Sequence, residues 1–322
     1  MTRILVTGGA GYLGSRLLER LAPRVEKDEF DVVAVDVREV TEDRREAGID
    51  YLVCDVRDPA LGDLLAEHES EVVIHLAAIV DPPPDMDRDT LYSIDVGGAE
   101  NVLAACLQHG VRRLIVTSSG AAYGYYADHP EWIDEEQPLR GNEEFAYAKH
   151  KHIVEERLAV ARTEHPTLEQ VVLRVGTILG ENANNRITNL FDKKRLLGIR
   201  GGDDRFVFIW DEDVAACLEY SINAAQTGIF NVAGDGALSM GELAQRMGKP
   251  YLRLPPWLVI AALTLGKPLG LTRYGPEEVR FVRYRPVLAN QRLKEEFGFV
   301  PRKTSSEVYD LYLASRDLAR RD

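Results

Sequence analysis

The sequence predicts an α/β protein, a doubly wound parallel sheet carrying a smaller, discontinuous C-terminal substrate domain. Three observations lead there. Strand-like and helix-like patterns alternate through the first half of the chain. A glycine-rich turn with Gly8, Gly11 and Gly14 joins the first strand to the first helix. Beyond Gly176 the alternation gives way to polar, mixed segments.

The elements follow in order. Residues 3–6 are a short apolar run and 15–21 place leucines at helical spacing. Residues 31–35 form a second strand ending at Asp36, and 51–59 a third with a turn signal after it. Residues 72–78 read as a buried strand ending in small residues, followed by a stiff proline loop at 81–85. A helix is expected over roughly 95–109 with Gly110 as its C-cap, then a strand over 113–119 delivering hydroxyls to the ligand-binding edge. Residues 123–141 form a loop rich in aromatics and acids, including Tyr125, Tyr126 and Trp132. Asn142 is expected to cap the next helix, with Glu143 and Glu144 in its first turn.

A buried strand at 171–176 precedes a polar stretch at 180–202 containing Lys193, Lys194 and Arg195. A strand at 206–210, a helix at 214–225 opened by Asp211, Glu212 and Asp213, and a strand at 228–232 return to the earlier rhythm. Two helices, 240–247 and 256–265, and a turn at 297–301 complete the chain. The expected division is 1–177 plus 206–233 for the nucleotide-binding domain and 178–205 plus 234–322 for the substrate domain.

Composition narrows the function. With 322 residues, 45% hydrophobic and 28% charged, the chain has ample core. A formal net charge of −13 disfavours nucleic acid or an anionic membrane as partner. Cys54, Cys106 and Cys217 are widely spaced, which suits buried thiols rather than disulfides or a metal site. The most apolar stretch, 255–271, is too short and interrupted to span a bilayer. A strand beginning at Arg3 leaves no space for a secretory leader, so a cytoplasmic location is expected.

The glycine turn sits where a strand meets a helix N-terminus, an arrangement that admits a pyrophosphate. Asp36 follows at about 20 residues, where a carboxylate accepts hydrogen bonds from ribose hydroxyls. It repels the extra phosphate of NADP, so NAD is the expected cofactor; Arg38 leaves NADP as the lesser reading. Tyr147 and Lys151 are one helical turn apart and project from one face. An ammonium and a positive nicotinamide ring would favour the phenolate, letting Tyr147 take a proton from a substrate hydroxyl. Ser119 is placed to orient the reacting oxygen. His150, His152 and His165 lack metal-ligand spacing, and no metal is expected.

The chain resembles the extended short-chain dehydrogenases/reductases, the branch containing nucleotide-sugar epimerases, dehydratases and 3β-hydroxysteroid-type dehydrogenases. The matching motifs are TGGAGYLG at 7–14, Asp36, CDVRD at 54–58, HLAA at 75–78, VTSSGAAYG at 116–124, YAKHK at 147–151, LRVGTILG at 173–180, FIWDEDVA at 208–215 and GIFNVAGDGALSMGEL at 228–243. The resemblance implies a Rossmann domain with NAD held by Gly8, Gly11, Tyr12, Leu13, Gly14, Asp36 and Arg38. It places Asp55 and Val56 at the adenine, Leu76, Ala77 and Ala78 near the nicotinamide ribose, and Val175 at the carboxamide. Ser119, Tyr147 and Lys151 would be the catalytic triad, with Lys151 also holding the ribose. Val80, Ser119, Gly120, Tyr123, Thr177 and Arg283 are the candidate substrate contacts, and a homodimer is expected.

Departures from the family pattern matter. Asp95 replaces the usual asparagine, Val175 a proline and Thr177 an asparagine. Arg283 and Arg285 stand where many members carry an Arg-Pro-Gly-Asp run. Gly120 and Ala121 replace the acidic pair of dehydratases, so dehydration is disfavoured. A nucleotide-sugar epimerase is the leading expectation by family frequency. The alternative is an NAD-dependent alcohol dehydrogenase or ketoreductase on a less polar substrate. A non-catalytic NAD-sensing binder fits poorly with an intact Ser119, Tyr147 and Lys151.

Overall fold

A computed structural model describes residues 1–322 except 84, 182, 184–186, 203, 273 and 319–322. Pro84 and parts of the expected 180–202 stretch therefore lie outside the described residues. The first half runs β1 (Thr2–Thr7), α1 (Tyr12–Val25), β2 (Phe30–Asp36), β3 (Asp50–Val53), α2 (Ala60–Glu67), β4 (Val72–His75), α3 (Arg88–Tyr92), α4 (Gly98–Gln108), β5 (Arg113–Ser119), α5 (Ala146–Glu164) and β6 (Glu169–Val175). Then come β7 (Thr177–Leu179), α6 (Thr188–Phe191), β8 (Leu196–Ile199), β9 (Arg205–Phe206), β10 (Phe208–Trp210), α7 (Asp211–Asn223) and β11 (Gly228–Val232). The chain ends with β12 (Leu238–Ser239), α8 (Met240–Arg246), β13 (Tyr251–Leu254), α9 (Pro256–Gly266), α10 (Glu278–Arg283) and α11 (Ser305–Leu318).

Seven parallel strands form one sheet in the order β11-β6-β5-β4-β1-β2-β3. This is a Rossmann-like α/β sheet, and its order reverses between β1 and β4. Alternation within β1 explains the two covering layers. Ile4 and Val6 join a core with Leu17 of α1 and Val214 of α7. Leu5 points the other way, into a core with Leu61 of α2, Val102 of α4 and Val154 of α5. Burial on both faces is why these strands read as continuous apolar runs.

Late segments make a separate, aromatic core. Phe191, Phe206, Phe208, Tyr309 and Tyr312 pack there with Leu243 and Phe281. Phe191 meets Phe206, Phe208 and Tyr309 edge-on, while Phe206 on Phe208 and Phe208 on Tyr309 are stacked.

Three local expectations are corrected. The helix expected from residue 95 begins at Arg88, because α3 and α4 are joined by a wide π turn over Ser93–Gly97. Asn142 does not cap α5; its side-chain oxygen accepts the Tyr125 amide at 2.8 Å, and α5 starts after the extended Phe145. The strand expected over 206–210 is broken at Val207, β9 pairing with β12 and β10 with β7. Cys54, Cys106 and Cys217 are free thiols. Among the described residues no helix is long and apolar enough to cross a membrane.

Candidate functional site

A cleft of about 660 Å³ lies along the carboxyl edge of the sheet, within the usual range for small-molecule sites. Its walls come from the turn after β1, the ends of β4, β5 and β6, the start of α5, and late residues including Ile187, Glu277, Phe281 and Arg285.

The turn after β1 is built so that only glycine fits. Gly8 has φ +76°, and a Cβ there would stand 2.7 Å from the Ala77 nitrogen. A Cβ on Gly14 would overlap the Gly8 carbonyl oxygen. Gly11 is the N-cap of α1 and brings no side-chain cap, which leaves the first-turn amides facing the cleft edge. Gly8, Gly11, Tyr12, Leu13 and Gly14 all line the cleft. The Tyr12 hydroxyl donates to Asp211 at 2.6 Å, tying this turn to the start of α7.

Asp36 ends β2 and is buried. Its carboxylate accepts the Ala10 amide at 3.1 Å and the Arg38 amide and guanidinium at 3.0 and 3.1 Å. Gly9, Ala10, Asp36 and Arg38 share a small second hollow beside the turn. Asp55 lies beyond β3 with its carboxylate on Arg57, whose guanidinium holds it below the usual carboxylate range. Val56 is buried against Gly98. Leu76, Ala78, Val80, Val175 and Thr177 line the cleft, and Ala77 backs onto Gly8. A glycine cradle at an uncapped helix end, with a carboxylate one strand away, fits a dinucleotide.

Ser119, Tyr147 and Lys151 converge on the cleft floor. Ser119 closes β5, and its hydroxyl accepts the Ala121 amide at 3.1 Å and hydrogen-bonds Tyr147. Lys151, one turn along α5, sends its ammonium to the Thr117 carbonyl at 2.8 Å and lies 5.7 Å from the centre of the Tyr147 ring. Without the nicotinamide ring, burial and the neighbouring charges set the protonation of this pair. Burial pushes the Tyr147 pKa up, the Ser119 hydrogen bond draws it back, and the Asp95 carboxylate raises it. Burial lowers the Lys151 pKa, while Asp95 and Glu155 oppose that shift. The phenol of the ligand-free protein is therefore protonated at neutral pH.

Beneath this pair lies a contact the sequence did not disclose. Asp95, carried on the π turn, accepts the Ile79 amide at 2.9 Å and meets His150 Nδ1 at 2.9 Å. Both side chains are buried. Asp95 in place of the family's usual asparagine, and a histidine directly before Lys151, were the available signals.

Two substrate expectations are corrected. Tyr123 is fully buried, its hydroxyl held by Asn231, Arg174 and the Asp134 carbonyl, so it is a structural group outside the cleft. Arg283 donates to the Gly201 carbonyl at 2.8 Å and does not line the cleft. Its neighbour Arg285 does, stacked over Phe206 and Phe281 and donating to Thr177 at 3.2 Å. Gly120 lies on the cleft wall against Leu288. Among the described residues no group of His, Cys, Asp or Glu could hold a metal.

Comparison with known proteins bears on this geometry. The model of the NAD dependent epimerase/dehydratase family matches residues 4–233. The uncharacterized protein Rv0501 of Mycobacterium tuberculosis is 26% identical over 98% of this chain and 84% of its own length. The N-acetyl-alpha-D-glucosaminyl-diphospho-ditrans,octacis-undecaprenol 4-epimerase of Escherichia coli O157:H7 is 25% identical over 83% of this chain and 76% of its own. Among solved structures, the Bordetella bronchiseptica enzyme WbmG in complex with NAD and UDP matches with a TM-score of 0.73 at 22% identity, covering 98% of this chain and 93% of that one.

Proposed function

The chain belongs to the NAD-dependent epimerase/dehydratase family, and from that premise we propose that it is a nucleotide-sugar epimerase whose NAD stays bound through the cycle. One observation carries the reading: Ser119, Tyr147 and Lys151 meet on the floor of a cleft that runs from the glycine turn to Arg285. The relatives support a sugar diphosphate as substrate. One is named for a sugar-diphospho-lipid and the other is described with UDP.

NAD, when bound, would supply reversible hydride acceptance at the sugar carbon, and its positive ring would favour the Tyr147 phenolate. Tyr147 removes the proton of the reacting hydroxyl and restores it on the return step. Ser119 hydrogen-bonds the same oxygen and fixes its distance from the phenol. Lys151, held on the Thr117 carbonyl, supplies a fixed cation beside both. Arg285 grips the diphosphate, since a planar guanidinium suits phosphate oxygens. Residues 1–177 and 206–233 hold the cofactor in this scheme, and 178–205 with 234–322 close over the sugar. A homodimer in the cytoplasm remains part of the reading, and Asp36 sets the preference for NAD over NADP.

A second reading, a dehydrogenase on a less polar alcohol, draws on the apolar cleft residues Ile79, Val80, Ile187, Phe281 and Leu288. Measuring dinucleotide released on denaturation, and cofactor turnover with UDP-sugars, separates the two. The epimerase reading expects bound NAD and sugar interconversion with no net cofactor consumption. Stoichiometric NADH formation from an added alcohol would overturn it in favour of the second.

A further inference from the structure

Outside the cleft, one surface breaks the pattern of the rest of the molecule. Helix α9, PWLVIAALTLG, has no charged side chain, and Gly266 is its one buried residue. The helix is apolar on every side rather than along one stripe, the pattern of a buried helix, yet Trp257, Leu258, Ile260, Ala261, Ala262, Thr264 and Leu265 all face solvent. Trp257 is 68% exposed and Leu265 67%; on the turn that follows, Leu269 is 70% and Leu271 78% exposed. Contiguous exposed apolar surface of this kind marks an interaction site rather than ordinary surface scatter.

The charge around it is inverted relative to the chain. Overall net charge is −13, yet residues 243–276 contain no Asp or Glu and include Arg246, Lys249, Arg253, Lys267 and Arg273. In the sequence these cations fall on both sides of the helix. At its entry the Arg200 amide bonds the Leu254 carbonyl and its guanidinium the Arg253 carbonyl; Lys267 is its C-cap. Strand β8, paired with β13, places Leu197 opposite Leu252, both exposed, and follows directly on exposed Lys193, Lys194 and Arg195. Some of this charge is answered within the protein: Arg246 pairs with Asp310 and Lys267 with Glu277.

We propose that α9 and the β8–β13 ribbon form a docking surface for an anionic phospholipid bilayer, on which the protein lies without spanning it. An apolar helix face and a polybasic margin are the two signals that together give stable attachment, where one alone is marginal. The helix has 11 residues, about 16 Å at 1.5 Å per residue, too short to cross a hydrocarbon core but suited to its interface. A second copy of the chain fits less well, since a two-fold contact through this face would set the same cations against each other. The docking segment runs directly into Glu277 and Glu278, which line the cleft. This inference does not rest on the epimerase reading.

The test is co-sedimentation of the full chain with vesicles of phosphatidylcholine alone and of phosphatidylcholine mixed with phosphatidylglycerol, at low and high salt. Binding to the anionic vesicles is expected, weaker by roughly tenfold on phosphatidylcholine alone or at high salt. The double substitution Trp257→Glu with Leu265→Glu should lower it by a similar factor while leaving the circular dichroism spectrum intact, since both side chains are exposed. Substituting Lys193, Lys194 and Arg195 by glutamine should reduce binding to the anionic vesicles alone. No binding of the wild-type chain to anionic vesicles at low salt overturns the proposal. So does a dimer in solution that the Trp257/Leu265 substitutions dissolve, because a second copy would then be what covers the face.

Discussion

The carboxylate of Asp95 and the imidazole of His150 face each other at 2.9 Å, both buried, beneath Tyr147 and Lys151. Asp95 also acts on its neighbours through space, raising the pKa of both the phenol and the ammonium. Its replacement by a neutral isostere lowers both. The prediction for Asp95→Asn follows: phenolate forms at lower pH, so the rising limb of the pH–rate profile moves to lower pH. The measurement is single-turnover cofactor reduction across pH, and an unshifted limb would remove Asp95 from the site's electrostatics.

Tyr147→Phe keeps the ring and deletes the proton acceptor. Turnover should fall by about 10²–10⁴-fold, the usual worth of a positioned acid–base group. Dinucleotide affinity, followed by fluorescence titration, should stay within a few fold, because the glycine turn is untouched. Retained turnover would exclude Tyr147 as the base.

At Gly14 an added methyl group collides with the Gly8 carbonyl and with Gly9. Gly14→Ala should weaken NAD binding by roughly tenfold or more by pushing the turn into the pyrophosphate position. Gly97→Ala is the control, since a Cβ there meets nothing within 4 Å. Equal affinities for the two variants in calorimetric titration would mean the turn does not receive the phosphates.

Arg285 and Arg283 separate two neighbours that look alike in the sequence. With a nucleotide sugar, Arg285→Ala should raise KM by about 10-fold or more, as expected for losing a hydrogen bond to a charged group, and Arg285→Lys should recover part of the loss. Arg283→Ala should leave KM within about twofold, because its guanidinium serves the Gly201 carbonyl. Matching KM values for the two alanine variants would contradict the assignment.

His75 supplies a pH-dependent stability. It is buried, with Nδ1 at 2.8 Å from the Thr7 hydroxyl, and burial reinforced by Lys151 lowers its pKa to about 3. Below the ordinary value of 6.5 the unfolded chain takes up a proton here and the folded chain does not. Stability is therefore lost as pH falls from about 6.5 toward 3, by up to about 1.4 kcal/mol per pH unit. Thermal unfolding at stepped pH should show a shallower decline for His75→Gln. Parallel declines in the two proteins would refute it.

Much of this architecture was legible because local chemistry and tertiary role coincide. The strands at 113–119 and 228–232 occur with the expected bounds, since β5 and β11 are apolar runs fenced by turn residues. The glycine turn was readable because its geometry tolerates no other residue. What escaped depends on partners distant in the chain. Asn142 has the right type and spacing for a helix cap, but the Tyr125 amide takes its oxygen. Tyr123 looks like a site tyrosine until Asn231 and Arg174 claim its hydroxyl. Arg283 and Arg285 differ in outcome because α10 ends between them and the chain turns at Tyr284.

Helix α7 packs on α1, and β11 zips onto β6, after the chain has already left the sheet at residue 176. No single cut can therefore split this polypeptide into two self-sufficient halves. A fragment ending at β6 would expose the naked edge of that strand and the apolar flank of α1, an invitation to misassembly. Ribosomal synthesis meets the same constraint, since the founding strand waits for residues more than two hundred positions downstream before its layer is sealed.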